Sequence, residues 1–239
     1  MSTPDFPPVP PDAAGRPLGE ALSPELLASL LADGDDELAA WALREAIQEG
    51  SRIKAYEGIL ADAMRLVGER WATGQWSVAE EHLASQTLLR ALDRIRPELG
   101  PESRIGPLAV LAGVAGEDHM IGLVCLDHLL RERGWTVANL GADVPATDLG
   151  RFVERNDARL VALTASDPSR ASDVADAVRA VRTGSGGRPD GQVPIVLGGR
   201  IAPAVDDDAQ LGVDRLVGSL TDALGFADGV LVSLSTAEA

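Results

Sequence analysis

Residues 107–140 read PLAVLAGVAGEDHMIGLVCLDHLLRERGWTVANL. An apolar run of strand length, 107–114, breaks at a polar loop that holds Glu117, Asp118 and His119. Apolar residues then recur at helical spacing as far as Leu130, Gly134 ends that run, and a second short apolar run opens at Trp135. Strand, helix and strand in so short a space predict two parallel strands joined by a crossover helix.

The same alternation continues to the end of the chain. WTVANL (135–140), RLVALT (159–164), VPIVLG (193–198) and VDRLVG (213–218) read as strands. Helical stretches lie near 121–133, 146–156, 170–182 and 203–211, TGSGGRPDGQ (183–192) reads as a flexible loop, and a last helix covers 219–231. Five such strands predict a doubly wound, flavodoxin-like parallel sheet with right-handed crossovers. Ligands of such sheets sit beyond the carboxyl ends of the strands, near the point where strand order reverses.

Upstream, the period changes. Residues 1–20 are rich in Pro and Asp and read as a disordered leader. Ser23-Pro24-Glu25 is a helix start. Leu26, Leu27, Leu30 and Leu31 follow at helical spacing, and a second helix spans about 36–48 with Leu38, Trp41, Ala42 and Ala46 on one face. A third carries Ile53, Tyr56, Ile59, Leu60, Met64 and Val67 as far as Trp71. Ser77 and Glu80 form a capping box for a fourth, whose stripe is Leu83, Leu88, Leu89, Leu92 and Ile95. The organisation is a leader at 1–20, a four-helix antiparallel bundle at 21–100, an α/β domain at 101–230 and a tail at 231–239.

A net charge of −16 argues against nucleic-acid binding, which needs clustered cations, and against an anionic membrane surface. A single cysteine excludes an internal disulfide and fits the reducing cytoplasm. Cys125 lies in an apolar helical run and reads as a small buried hydrophobe; His128, in the same helix, has no assigned role. Three His and one Cys argue against a closed zinc site, which takes about four ligands.

Three groups fall at strand ends that the topology brings together: Glu117 to Gly122, Thr164-Ala165-Ser166, and Gly198-Gly199. A carboxylate two residues before His119 can accept one ring N–H, which fixes the tautomer and leaves the other nitrogen free for a metal. Gly122 lets the helix start close to a ligand, and Gly198-Gly199 removes side chains where a flat or extended ligand would clash. Each group alone reads more readily as an ordinary loop or turn.

In order and spacing, these groups resemble the cobalamin-binding domain of methionine synthase, corrinoid methyl carriers and adenosylcobalamin mutases. That family's signature is Asp-x-His-x-x-Gly, then Ser-x-Leu or a relative, then Gly-Gly. The resemblance covers residues 105–225. It implies His119 as lower axial cobalt ligand, with Glu117 orienting it and Asp118 and Gly122 beside it. Thr164 takes the serine position near Ser166, and Gly198 and Gly199 line the slot for the nucleotide tail. Glu117 stands where aspartate is usual, and Thr164 where serine is.

Trp71, followed after nine residues by Glu81-His82, resembles the signature of CarH-type photoreceptors, as do Glu-x-His and LGADVP (140–145). In that family adenosylcobalamin is the chromophore and the bundle caps its upper face. The likeness implies that Trp71 packs against the adenosyl group with Glu81 and His82 nearby. Light breaks the cobalt–carbon bond, the bundle moves, and His82 becomes an upper ligand opposite His119. Without the downstream domain, Trp71 would read as a plug at the end of the bundle, and Glu81-His82 as a polar helix start.

CarH-type repressors carry a DNA-binding helix-turn-helix domain where this chain has its Pro-rich leader. Together with the acidic composition, that points away from direct DNA binding and towards signalling through a regulatory protein partner. Self-association is compatible with free bundle faces and sheet edges. Two rivals remain: a corrinoid methyl-carrier subunit of a methyltransferase system, with methylcobalamin as the alternative cofactor form, and a doubly wound protein that binds no cobalamin.

Overall fold

The structure is a computed structural model that describes residues 22–97, 106–185, 192–202 and 211–237. Two compact units, Met1–Arg96 and Pro97–Ala239, divide the chain. The leader at 1–20 and almost all of the helix expected at 203–211 lie outside the described residues.

Unit one is helical: α1 (Pro24–Ala32), α2 (Asp36–Glu49), α3 (Arg52–Ala55), a π-helical turn (Tyr56–Leu60), α4 (Ala61–Ala72) and α5 (Val78–Arg94). Side chains cap the starts where the sequence predicts them. Ser23 Oγ accepts from Leu26 N–H, and Asp35 and Ser51 cap α2 and α3 in the same way. The core is richer in alanine than the leucine periodicity implies. Ala28, Ala39, Ala42, Ala63, Ala84 and Ala91 are fully buried beside Leu27, Leu31, Leu43, Leu88 and Leu92. Small side chains let helices approach closely, and this displaces some expected members of the stripe. Trp41 and Ala46 are only half-buried, and Leu83 is 42% exposed.

The third predicted helix is continuous in space but carries the π turn within it, which periodicity did not reveal. Each π turn adds one residue to the helical repeat. The buried face therefore runs Ala55, Tyr56, Leu60, Ala63, Val67, while Ile53, Ile59 and Met64 are only half-buried.

Unit two has the expected doubly wound sheet: β1 (Leu108–Gly113), α6 (Ile121–Glu132), β2 (Thr136–Asn139), α7 (Ala146–Arg155), β3 (Leu160–Thr164), a 3₁₀ turn (Pro168–Arg170), α8 (Ala171–Ser185), β4 (Ile195–Gly198), β5 (Arg215–Leu216) and α9 (Leu220–Ala237). Strand order is β2-β1-β3-β4-β5, with every pair parallel. Val110, Ala112, Val161, Leu163, Ile195 and Leu197 pack one sheet face onto Leu149 and Val153 of α7 and Val174, Val178 and Val181 of α8. On the other face lie α6 and α9. Two expected boundaries move. α8 runs to Ser185, so residues 183–185 are helical rather than loop, and α9 runs to Ala237, so most of the expected tail at 231–239 is helix.

Cys125 and His128 are both buried packing residues of α6. Trp135 is buried, and its indole N–H has no hydrogen-bond partner. Among the described residues, no helix is long and apolar enough to cross a membrane.

The turn from α4 to α5 is closely specified. Thr73 and Gly74 N–H donate to Glu69 and Trp71 carbonyls, Trp76 N–H donates to Arg70 O at 3.0 Å, and the Arg70 guanidinium lies 4.8 Å from the Trp76 ring centroid. The capping box then starts α5. Ser77 Oγ accepts from Glu80 N–H at 3.3 Å, and Glu80 Oε2 accepts from Ser77 N–H at 2.7 Å. Ser77→Ala removes half of that exchange and is expected to destabilise the protein by about 1 kcal/mol. Urea unfolding at neutral pH, with circular dichroism at 222 nm as the probe, measures it.

Candidate functional site

Register brings the predicted groups of the α/β unit together. Gly113, Thr164 and Gly198 end β1, β3 and β4, and they pair laterally, Gly113 with Thr164 and Thr164 with Gly198. β1 and β3 are also the strands on either side of the reversal in order, from which chain connections run to opposite sides. The loops leaving these three ends hold Glu117 and His119, Ser166, and Gly199.

Glu117 is the organising side chain. Only 3% of it is exposed, whereas the His119 side chain beside it is 66% exposed. Oε1 of Glu117 accepts from His119 backbone N–H at 2.7 Å and lies 2.6 Å from His119 Nδ1. Oε2 accepts from the Ser166 backbone N–H. Burial alone would push the Glu117 carboxyl up. The hydrogen bonds from His119 N–H, the His119 ring and Ser166 N–H outweigh it, and they hold the group below its ordinary value. Glu117 is therefore a carboxylate at neutral pH. A carboxylate has no proton to offer, so Nδ1 carries the hydrogen of that bond and Nε2 is the nitrogen left for another partner. Arg200 NH2 lies 3.4 Å from that Nε2.

The remaining predicted residues surround this pair. Asp118 is exposed, and Ser166 takes part through its backbone rather than its hydroxyl. A Cβ built on Gly122 would meet nothing within 4 Å, so the head of α6 is open. Gly199 has a reason within the chain itself. Its φ is +98°, and a Cβ there would stand 2.2 Å from Ala165 O and 2.9 Å from Thr164 Oγ1. Close passage of the β3 and β4 loops requires that glycine, whereas the sequence reading referred it to ligand clearance. At Gly198 a Cβ would make only ordinary contact with Val217.

The helical unit holds a second pair. Glu81 Oε2 lies 2.6 Å from His82 Nδ1, and Glu81 Oε1 accepts from Ser85 Oγ at 2.8 Å. The His82 side chain is 72% exposed and Glu81 28%. Trp71, on the last turn of α4, is 51% exposed, and Val78 (54%) and Leu83 (42%) are exposed on α5. Trp71 is thus not the plug of a bundle end, since half of its surface faces outward.

Sequence reasoning passed over two residues. Arg200 is the first charged residue after Gly198-Gly199, and that adjacency was its only signal. Asp143, inside LGADVP, is a non-glycine residue at φ +51°, which no sequence pattern displays.

A metal held in a macrocycle asks the protein for one axial donor rather than a cluster. Among the described residues no three of His, Cys, Asp or Glu group to hold a free ion. The donor His119 does offer is an imidazole with a buried carboxylate behind its Nδ1 and its Nε2 left for a ligand, beside open space at Gly122. These residues fit a corrinoid cobalt.

Comparison with known proteins agrees. Residues 25–96 match one B12 binding domain family and residues 107–225 a second. The chain is 33% identical over 192 residues to the HTH-type transcriptional repressor CarH of Myxococcus xanthus, covering 78% of this chain and 60% of that protein. It is 35% identical over 152 residues to CarA of the same organism, covering 62% of this chain and 48% of the relative. The chain thus spans about half to three-fifths of the length of these relatives. It is 26% identical to trimethylamine corrinoid protein 1 of Methanosarcina mazei, over 84% of this chain and 94% of that one. Among solved structures, the Methanosarcina barkeri monomethylamine corrinoid protein shares the fold, with a TM-score of 0.65 at 19% identity, over 84% of this chain and 95% of the other. The chain belongs to the B12-binding domain family and is a cobalamin-binding protein.

The Glu117 geometry predicts a pH dependence. A carboxyl whose folded value is depressed contributes stability in full above its ordinary value of 4.5 and loses it as pH falls towards the folded value. In urea unfolding of cobalamin-free protein, Glu117→Gln should be less stable than the parent at pH 7. The difference should shrink once pH drops below 4.5.

Proposed function

We propose that the chain is a light-responsive regulator that uses adenosylcobalamin as chromophore and signals to a partner protein through exchange of axial histidines. One observation carries this reading. Each unit presents an imidazole whose Nδ1 is held by a glutamate at 2.6 Å and whose side chain is largely exposed. A methyl carrier has use for one such imidazole; an exchange of axial ligands uses two.

In this reading His119 would hold the cobalt through Nε2, and Glu117, accepting at Nδ1, fixes which ring nitrogen faces the cofactor. Asp118, Gly122, Thr164, Ser166, Gly198 and Gly199 border the cofactor. Trp71 offers the exposed indole face against which an adenosyl group packs. Glu81 orients His82 by holding its Nδ1, which leaves Nε2 as the nitrogen able to coordinate. When bound, adenosylcobalamin supplies a cobalt–carbon bond that visible light can break. An adenosyl group against Trp71 would add contacts that the protein without it lacks, and a switch requires such a difference in contacts between its two states. Similarity to CarH and CarA over both units supports the regulatory reading. A corrinoid methyl-carrier subunit, with methylcobalamin, is the second reading; the match over 94% of a trimethylamine corrinoid protein favours it.

Dark-prepared protein loaded with adenosylcobalamin decides between them. Under green light, the first reading expects a permanent spectral change, a released adenosyl product, and a change in oligomer size or partner binding. Reversible methylation in the dark by a cognate methyltransferase, with no lasting light response, would establish the carrier instead. His119→Ala is expected to abolish the dark spectrum of histidine ligation. His82→Ala should spare it and alter only the illuminated species. Parent-like behaviour of both variants defeats the site assignment.

A further inference from the structure

The β1–α6 loop, residues 114–120, has little regular structure, yet it must hold Glu117 and His119 in place. Its neighbour is the LGADVP segment after β2. One backbone hydrogen bond joins the two, Asp143 N–H to Glu117 O at 3.0 Å, and two more tie the segment to Gly113 at the end of β1: Gly113 N–H to Gly141 O at 2.8 Å and Val144 N–H to Gly113 O at 2.9 Å. The fourth is made by a side chain. Asp143 Oδ1 accepts from Gly116 N–H at 2.6 Å. Asp143 therefore grips the peptide units on both sides of the Gly116–Glu117 step, one through its carboxylate and one through its own N–H. It does so from φ +51°, a left-handed conformation that Asp and Asn tolerate better than other side chains.

We infer that Asp143 is a positioning residue for the lower axial histidine: its two-point grip fixes the Glu117 backbone and, through Glu117, the direction of His119 Nε2. The inference rests on the reading of His119 as cobalt ligand. Glu117 is held at its main chain by Asp143 and at its carboxylate by His119 and Ser166 N–H. With the Asp143 carboxylate gone, the Gly116 N–H is released, and the loop gains freedom where the ligand is oriented. Outer partners of metal ligands characteristically alter affinity by about 10- to 100-fold. Asp143 acts through Glu117, so the lower end, about tenfold, is expected.

The test uses full-length parent, Asp143→Asn, Asp143→Ala, Asp143→Gly and His119→Ala, each loaded with cob(II)alamin and grown with and without ¹⁵N-histidine. Electron paramagnetic resonance reports imidazole ligation as a change of the nitrogen splitting from triplet to doublet on labelling. The parent and Asp143→Asn should show it, since an amide oxygen still accepts the Gly116 N–H and Asn adopts the same backbone. Asp143→Ala and Asp143→Gly should lose most of the imidazole-coupled fraction and bind about tenfold more weakly. Glycine separates the two contributions, because it relieves the backbone but lacks the carboxylate. Parent-like ligation in Asp143→Gly, or loss in Asp143→Asn equal to that in Asp143→Ala, overturns the inference. So does a coupled fraction that falls only in step with the folded fraction measured by urea unfolding. If the parent shows no imidazole coupling, or His119→Ala retains it, the ligand assignment itself fails and the inference falls with it. If His119→Ala loses coupling while all Asp143 variants match the parent, only the positioning role fails.

Discussion

The structure turns on a buried carboxylate facing an exposed ring. Glu117 is sequestered and takes its hydrogen bonds from the backbone of two loops and from the His119 imidazole. Burying a carboxylate is costly unless such partners surround it, and here they more than offset the cost. The result is a ring whose Nδ1 is engaged and whose Nε2 is left for a partner. Aspartate, the usual residue there, is one methylene shorter. Glutamate's extra reach accompanies bonds to both the β1 and β3 loops, which makes this side chain a tie between strand ends as well as a base for the ring.

The second glutamate–histidine pair is built differently. Glu81 and His82 are adjacent on an exposed helical turn, and Glu81 also accepts from Ser85, one turn on. Solvent screens such a pair, and exposed ion pairs hold geometry weakly. One imidazole is therefore held by the fold and the other by local contacts alone. That difference suits a division between a permanent ligand and one recruited on demand.

Much of this was legible in the chain. Strand–helix alternation gives the doubly wound sheet, and the capping signatures at Ser23 and Ser77 mark helix starts that the structure keeps. The i to i+2 relation of Glu117 and His119 is local, so spacing exposes it. What stayed hidden depends on tertiary packing or backbone torsion. Leucine periodicity marks Leu27, Leu30, Leu31, Leu88 and Leu92, which are buried, but not most of the alanines packed beside them, and it includes Leu83, which lies outside. Gly199 was read as clearance for a ligand, although the approach of Ala165 O explains it. The Glu117 contact with Ser166 N–H spans 49 residues, and nothing in the intervening sequence announces it.

The π turn at Tyr56–Leu60 governs more than its own residues. One additional residue in a helix rotates everything beyond it by about 100° around the axis. Trp71 lies three turns downstream, so the direction its indole faces is set by that single surplus residue. Any homologue lacking the surplus would need compensating changes throughout Ala61–Ala72 to aim an aromatic ring the same way. Aligning such chains by unbroken helical periodicity would set Trp71 against a residue on the wrong side of its helix.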